Sequence, residues 1–130
     1  MGDGLLALIG MLVFIGFLLV LIVKSRKPRL NKSYYDKHWQ SIAKLNSDTE
    51  KLVNADKLLD SAMRKLDIRG KTTGERLNNS EAFIRDLNAV WESHKLRNKL
   101  VHEPGFNASE KDVKRSLNVY KKALKDLGAL

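Results

Sequence analysis

Residues 5–23 read LLALIGMLVFIGFLLVLIV, 19 positions without a charge and nearly all Leu, Ile, Val, Phe, Met, Ala or Gly. As a helix rising about 1.5 Å per residue, the run spans roughly 28 Å, close to the ~30 Å hydrocarbon core of a bilayer. It predicts one membrane helix, within an N-terminal segment 1–23. A cleaved leader would need a basic stretch ahead of a shorter apolar run, and a small-x-small cleavage site behind it. Here Asp3 precedes the run and Leu19-Val20-Leu21-Ile22-Val23 closes it. The reading is a retained anchor.

Lys24, Arg26, Lys27, Arg29 and Lys32 follow at once. A basic flank on one side only holds that side in the cytoplasm. The expectation is a single-pass protein of the cell membrane, its short N-terminus outside and its C-terminal domain cytoplasmic. Segment 24–32 reads as a basic juxtamembrane linker. Anionic lipid headgroups near Lys24–Lys32 are its expected partners, at about 1 kcal/mol per basic residue. Residues 24–46 carry seven Lys/Arg against one acid, and residues 47–130 carry 17 against 13. RNA binding also draws on positive charge, through counterion release. Position beside the membrane assigns the first block to lipid, and the smaller excess beyond it is compatible with an RNA-facing surface.

The chain has 130 residues and no cysteine. That length suits one compact unit beside the anchor rather than a multidomain enzyme. Disulfides, thiolate zinc sites and cysteine nucleophiles are excluded.

From residue 33 the periodicity is helical and no stretch alternates as a strand would. Ser33 with Asp36 resembles a capping box. Tyr35, Trp39, Ile42, Leu45, Leu52, Ala55, Leu59, Ala62 and Leu66 then fall mostly three and four apart. Ser47 with Glu50 is a second capping box that could interrupt this stripe. The stripe stays in phase there, which favours one long helix, kinked or straight, ended by Gly70. Gly70-Lys71-Thr72 contains a Gly-Lys-Thr, but a P-loop needs a further glycine where Lys65 stands. That segment reads as a loop with a short helical turn around Glu75–Asn78. A third helix is expected from near Ser80, with the stripe Phe83, Leu87, Val90, Trp91, His94 and Val101, stopped by Pro104-Gly105. The last helix starts at Ser109, an N-cap with Glu110 and Asp112 in its first turn. It carries Val113, Leu117, Tyr120 and Leu124, and ends at Gly128. The fold class is all-α, a transmembrane helix followed by a small helical bundle over residues 33–130.

Chemistry concentrates in Leu96-Arg97-Asn98-Lys99-Leu100-Val101-His102-Glu103-Pro104. An Arg, four residues, then a His at the end of a helix, with a polar Asn directly after the Arg, resembles the HEPN superfamily. The resemblance covers roughly residues 33–127. It implies a helical domain that dimerises with its motifs facing each other. Some members are metal-independent endoribonucleases and many are non-catalytic binding modules. By that resemblance Arg97, Asn98 and His102 are the candidate catalytic residues. Arg97, His94 and His102 are the candidate binding residues. The chain also looks like small single-span bacterial proteins of unknown role.

The residues suit such chemistry. An imidazole can exchange protons with an RNA 2′-hydroxyl or a leaving 5′-oxygen. A guanidinium can stabilise the charge developing on phosphorus. On one helix Asn98 and His102 share a face, while Arg97 and His102 lie about 140° apart. One helix therefore presents an edge rather than a closed site, and a two-fold contact through it would bring a second Arg and His to the same cleft. The alternatives are structural: Arg97 pairing with Glu92 or Glu103, and His102 capping the last carbonyls of its helix. His94 and His102 without a neighbouring carboxylate make a poor metal site. No metal or cofactor is expected, and His38 reads as a packing or surface residue. Two functions stay open: an anchored endoribonuclease of toxin or defence type, and an anchored module that binds RNA or a protein partner.

Overall fold

A computed structural model describes residues 2–25 and 28–130. They form six helices: α1 (Gly2–Ser25), α2 (Lys32–Ala43), α3 (Asp48–Lys65), α4 (Thr73–Asn78), α5 (Leu87–His102) and α6 (Glu110–Asp126). Among the described residues there is no strand, and the fold is all-α. Helix α1 is exposed from Gly2 to Lys24. It is long and apolar enough to cross a membrane. An unbroken apolar helix surface of this kind marks a lipid or protein contact.

Helix α3 is the centre of the bundle and packs against α2, α4, α5 and α6, while α5 packs on α6. Leu52, Leu59, Ala62 and Met63 from α3 and Tyr120 and Leu124 from α6 have no exposed surface. Asp60 receives hydrogen bonds from Arg76 Nε at 2.7 Å and Nη2 at 3.3 Å, which joins α4 to α3.

The expected single helix over residues 33–66 is two helices. Ser47 Oγ accepts from the Glu50 N–H at 3.3 Å, and α3 starts there with Asp48 and Glu50 in its first turn. Helix α2 folds back along α3 through a four-residue connection, burying Tyr35 and Ile42. The stripe stays in phase because both helices bury an apolar face; periodicity reports burial, not continuity. The N-cap of α2 is Asn31 rather than Ser33, its Oδ1 accepting from Tyr34 N–H at 3.2 Å. Asp36 instead accepts from Gln40 Nε2 at 2.8 Å.

Helix α3 stops before Gly70. Asp67 adopts φ 57°, the Ile68 N–H donates to Met63 O at 3.1 Å, and the Asp67 N–H donates to Arg64 O at 3.0 Å. This double closure satisfies the last carbonyls, and Ile68 and Met63 are both buried in the core. Gly70 serves a close approach: a Cβ there would stand 2.7 Å from Arg76 N, and its carbonyl accepts from Arg76 Nη1. The short helical turn expected around Glu75–Asn78 is α4, capped by Thr72.

The third long helix begins at Leu87, not near Ser80. Ser80 is buried and its hydroxyl donates to Arg76 O at 2.7 Å, closing α4 rather than opening α5. Asp86 is the cap, accepting from Ala89 N–H at 3.1 Å. Arg85 ties the turn to α6, its backbone N–H and Nε donating to the two oxygens of Asp126 at 3.0 and 2.8 Å. Burial works against ionising Asp126, but the hydrogen bonds and charge of Arg85 outweigh it and hold the carboxyl below its usual range. Phe83 and Val101 are 40% and 46% exposed and drop out of the expected buried stripe, while Val90 and His94 stay in it. Helix α6 follows expectation, from the Ser109 cap to Gly128 at φ 77°.

Candidate functional site

Helix α5 turns His94, Arg97 and Asn98 toward α3 and α6, where they meet Asp56 and Tyr120. The spacing explains it, since positions i, i+3 and i+4 share one helix face. Asp56 sits on the apolar face of α3 between Leu52 and Leu59 and is 2% exposed. A carboxylate taken from water needs a compensating charge and hydrogen bonds. All are present.

Three hydrogen bonds and one ion pair close into a ring. Arg97 Nη1 donates to Asn98 Oδ1 at 2.7 Å. That leaves Asn98 Nδ2 facing His94 Nε2 at 3.3 Å, so the amide donates and the imidazole nitrogen accepts. His94 then carries its proton on Nδ1 and donates it to Asp56 Oδ1 at 2.8 Å. The Tyr120 hydroxyl donates to the same oxygen at 3.0 Å. Arg97 Nε lies 3.6 Å from Asp56 Oδ2, which closes the circuit by charge. That Nε is buried and makes no hydrogen bond. Burial pushes the Tyr120 phenol far up, and the negative Asp56 beside it adds to the effect. The Trp91 ring stands edge-on to His94 at 5.7 Å.

The ring brings together three of the residues singled out from the sequence, His94, Arg97 and Asn98. It leaves out the fourth. His102 is exposed in the last turn of α5, and among the described residues its side chain makes no hydrogen bond, to the helix carbonyls or elsewhere. The expected alternatives for Arg97 also give way to Asp56: Glu92 pairs with Lys95 at 3.1 Å, and Glu103 forms no ion pair among the described residues. His38 is exposed, donates from Nδ1 to Tyr34 O at 2.8 Å and lies on the Tyr34 ring at 4.1 Å. Among the described residues no group of three His, Asp or Glu is placed to hold a metal ion.

Sequence reasoning missed Asp56 and Tyr120. The signal was an acid lodged in an apolar stripe, and a tyrosine at a core position of α6 whose hydroxyl needed a partner. Chemically one carboxylate faces one guanidinium and both imidazole nitrogens are occupied, while the buried Arg97 Nε is left without a hydrogen bond.

A separate surface groove lies between α5 and α6. It holds about 260 Å³ and is lined by Lys95, Lys99, Arg115, Ser116 and Phe106, among others. Lys99 Nζ stands 5.8 Å from the Phe106 ring centre. No family model, curated protein or solved structure matches this chain.

Proposed function

We propose that the chain is a HEPN-like helical module that binds RNA or a protein partner without cleaving it. In this reading α1 crosses the cell membrane and holds the bundle at the cytoplasmic face, with anionic headgroups drawn to Lys24–Lys32. The observation that carries it is the ring on Asp56. An endoribonuclease of this type would use Arg97 against the phosphate and an imidazole as proton carrier. Arg97 and His94 are spent on Asp56 and Asn98 instead, and His102 stands exposed without a partner to orient it. General acid–base chemistry needs both reach and orientation.

The binding face in this reading is the α5–α6 groove, where Lys99 and Arg115 supply charge and Phe106 an aromatic surface, Lys95 being paired with Glu92 and Asp112 also lining the groove. Phosphate contacts of this kind weaken with salt, and bases stack on aromatic rings. The resemblance adds dimerisation along α5, which membrane confinement would favour by raising effective concentration.

The test is incubation of labelled RNA with the full chain in detergent micelles. The expected result is retention that falls as salt rises, RNA of unchanged length, and the same behaviour in His102→Ala, which lies outside the ring. Retention lost in Lys99→Ala with Arg115→Ala would locate the RNA in the groove. No retention at any salt would leave a protein partner as the ligand. RNA fragments that vanish in His102→Ala would replace this reading with the endoribonuclease.

A further inference from the structure

A second cleft opens where the chain enters the bundle. It holds about 470 Å³ between the segment Pro28–Asn31, the start of α2 and the end of α3. Tyr35 and Ser61 form its base: Tyr35 is 2% exposed, and its hydroxyl lies 3.5 Å from Ser61 Oγ. Arg29 and Lys65 both line the cleft. Both are exposed, and neither is in an ion pair among the described residues. Leu30 and the half-exposed Tyr34 supply apolar surface beside them. Two cations outside any ion pair among the described residues, lining one partly apolar cleft, suit a phosphodiester with a hydrocarbon-bearing body.

The tether says where that group comes from. Helix α1 ends at Ser25 and the cleft begins at Pro28. Three residues reach at most ~11 Å even fully extended. The headgroup layer on each side of the hydrocarbon core is itself roughly 5–8 Å deep. The mouth of the cleft therefore cannot leave the neighbourhood of the membrane surface if α1 spans it. Tyrosine is also a side chain that settles at this depth, with an apolar ring and a polar tip.

We propose that this cleft binds one anionic phospholipid headgroup, with Arg29 and Lys65 on the phosphate and Leu30 and Tyr34 against the glycerol. The inference rests on the reading that α1 is a membrane span, and goes beyond the diffuse attraction of Lys24–Lys32. A diffuse basic flank responds to every charge equally. A cleft does not. Lys65 follows the anchor by some forty residues, and only folding brings it to the site.

The experiment uses the full chain in non-ionic detergent, titrated with dioleoylphosphatidylglycerol or dioleoylphosphatidylcholine and read by native mass spectrometry. Phosphatidylglycerol should bind one per chain and phosphatidylcholine more weakly. Lys65→Gln should lower the phosphatidylglycerol affinity roughly tenfold, the effect of one charge-assisted hydrogen bond. Lys32→Gln removes the same charge from an exposed position outside the cleft and should change affinity less than about twofold. Equal losses in the two variants, or equal binding of the two lipids, would overturn the cleft. Full displacement of the lipid by glycerol 3-phosphate would also overturn it, making the occupant a soluble phosphate ester. Release of the wild-type chain from phosphatidylglycerol-containing vesicles by alkaline carbonate would instead show that α1 does not insert, and both readings would fall together.

Discussion

Asp56→Ala should destabilise the bundle by about 3–5 kcal/mol, the cost of removing one partner of a buried ion pair. The loss has three parts. Arg97 is left as an uncompensated charge, the His94 Nδ1–H loses its acceptor, and so does the Tyr120 hydroxyl. For a unit of about 100 residues each kcal/mol moves the melting temperature by roughly 4–8 °C. The near-ultraviolet signal of Trp39 and Trp91, both in the bundle, should therefore melt at least ~12 °C lower in the full chain. Asp56→Ala with Arg97→Ala together should cost clearly less than the sum of the two, because the second change removes the charge stranded by the first. Additive losses would mean that Arg97 and Asp56 do not interact.

Leu59→Ala should cost about 2–5 kcal/mol on the same probe, the range for a fully buried leucine. Leu59 has no exposed surface and lies in α3, where α2, α5 and α6 converge. Leu117→Ala in α6 should cost less than half as much, since Leu117 is only partly buried at the edge of the same core. The pair checks the arrangement as well as the size of the core. Equal losses at the two positions would place α3 at the edge rather than the centre.

Much of this architecture was legible in the residues. The uncharged run to Val23, the Ser109 cap and the stop at Gly128 each express one strong local preference, and each appears as expected. The errors came where two local signals competed. At Asn46–Asp48 an in-phase stripe argued for continuity and a capping serine argued for a new helix. The serine prevailed because folding α2 back on α3 buries Tyr35 and Ile42. Near Ser80 the hydroxyl looked like a start and is an end, since Arg76 O lies within its reach. A caps-and-stripes reading cannot rank such alternatives, because tertiary burial decides between them.

The site was half legible for a related reason. His94, Arg97 and Asn98 are neighbours on one helix, and helical spacing alone puts them together. Asp56 and Tyr120 come from 38 and 64 residues apart from their partners in the ring. No local pattern joins them. What could be read was the anomaly of Asp56, an acid within an apolar stripe, which a folded chain tolerates only with a cation nearby. That anomaly calls for a buried cation but does not say which of the 24 Lys and Arg side chains supplies it.

The role of α5 turns on whether Arg97, Asn98 and His94 are closed on Asp56 within the bundle. Long-range proton–nitrogen correlation spectra of the full chain in micelles, in mildly alkaline solution, report which imidazole nitrogen of His94 carries the proton. The ring predicts Nδ1–H, held by Asp56, with Nε2 accepting from Asn98, and a changed His94 pattern in Asp56→Asn. A His94 protonated on Nε2, or one whose spectrum ignores Asp56→Asn, would contradict the ring and return Arg97 and His94 to the list of groups free to act on a substrate.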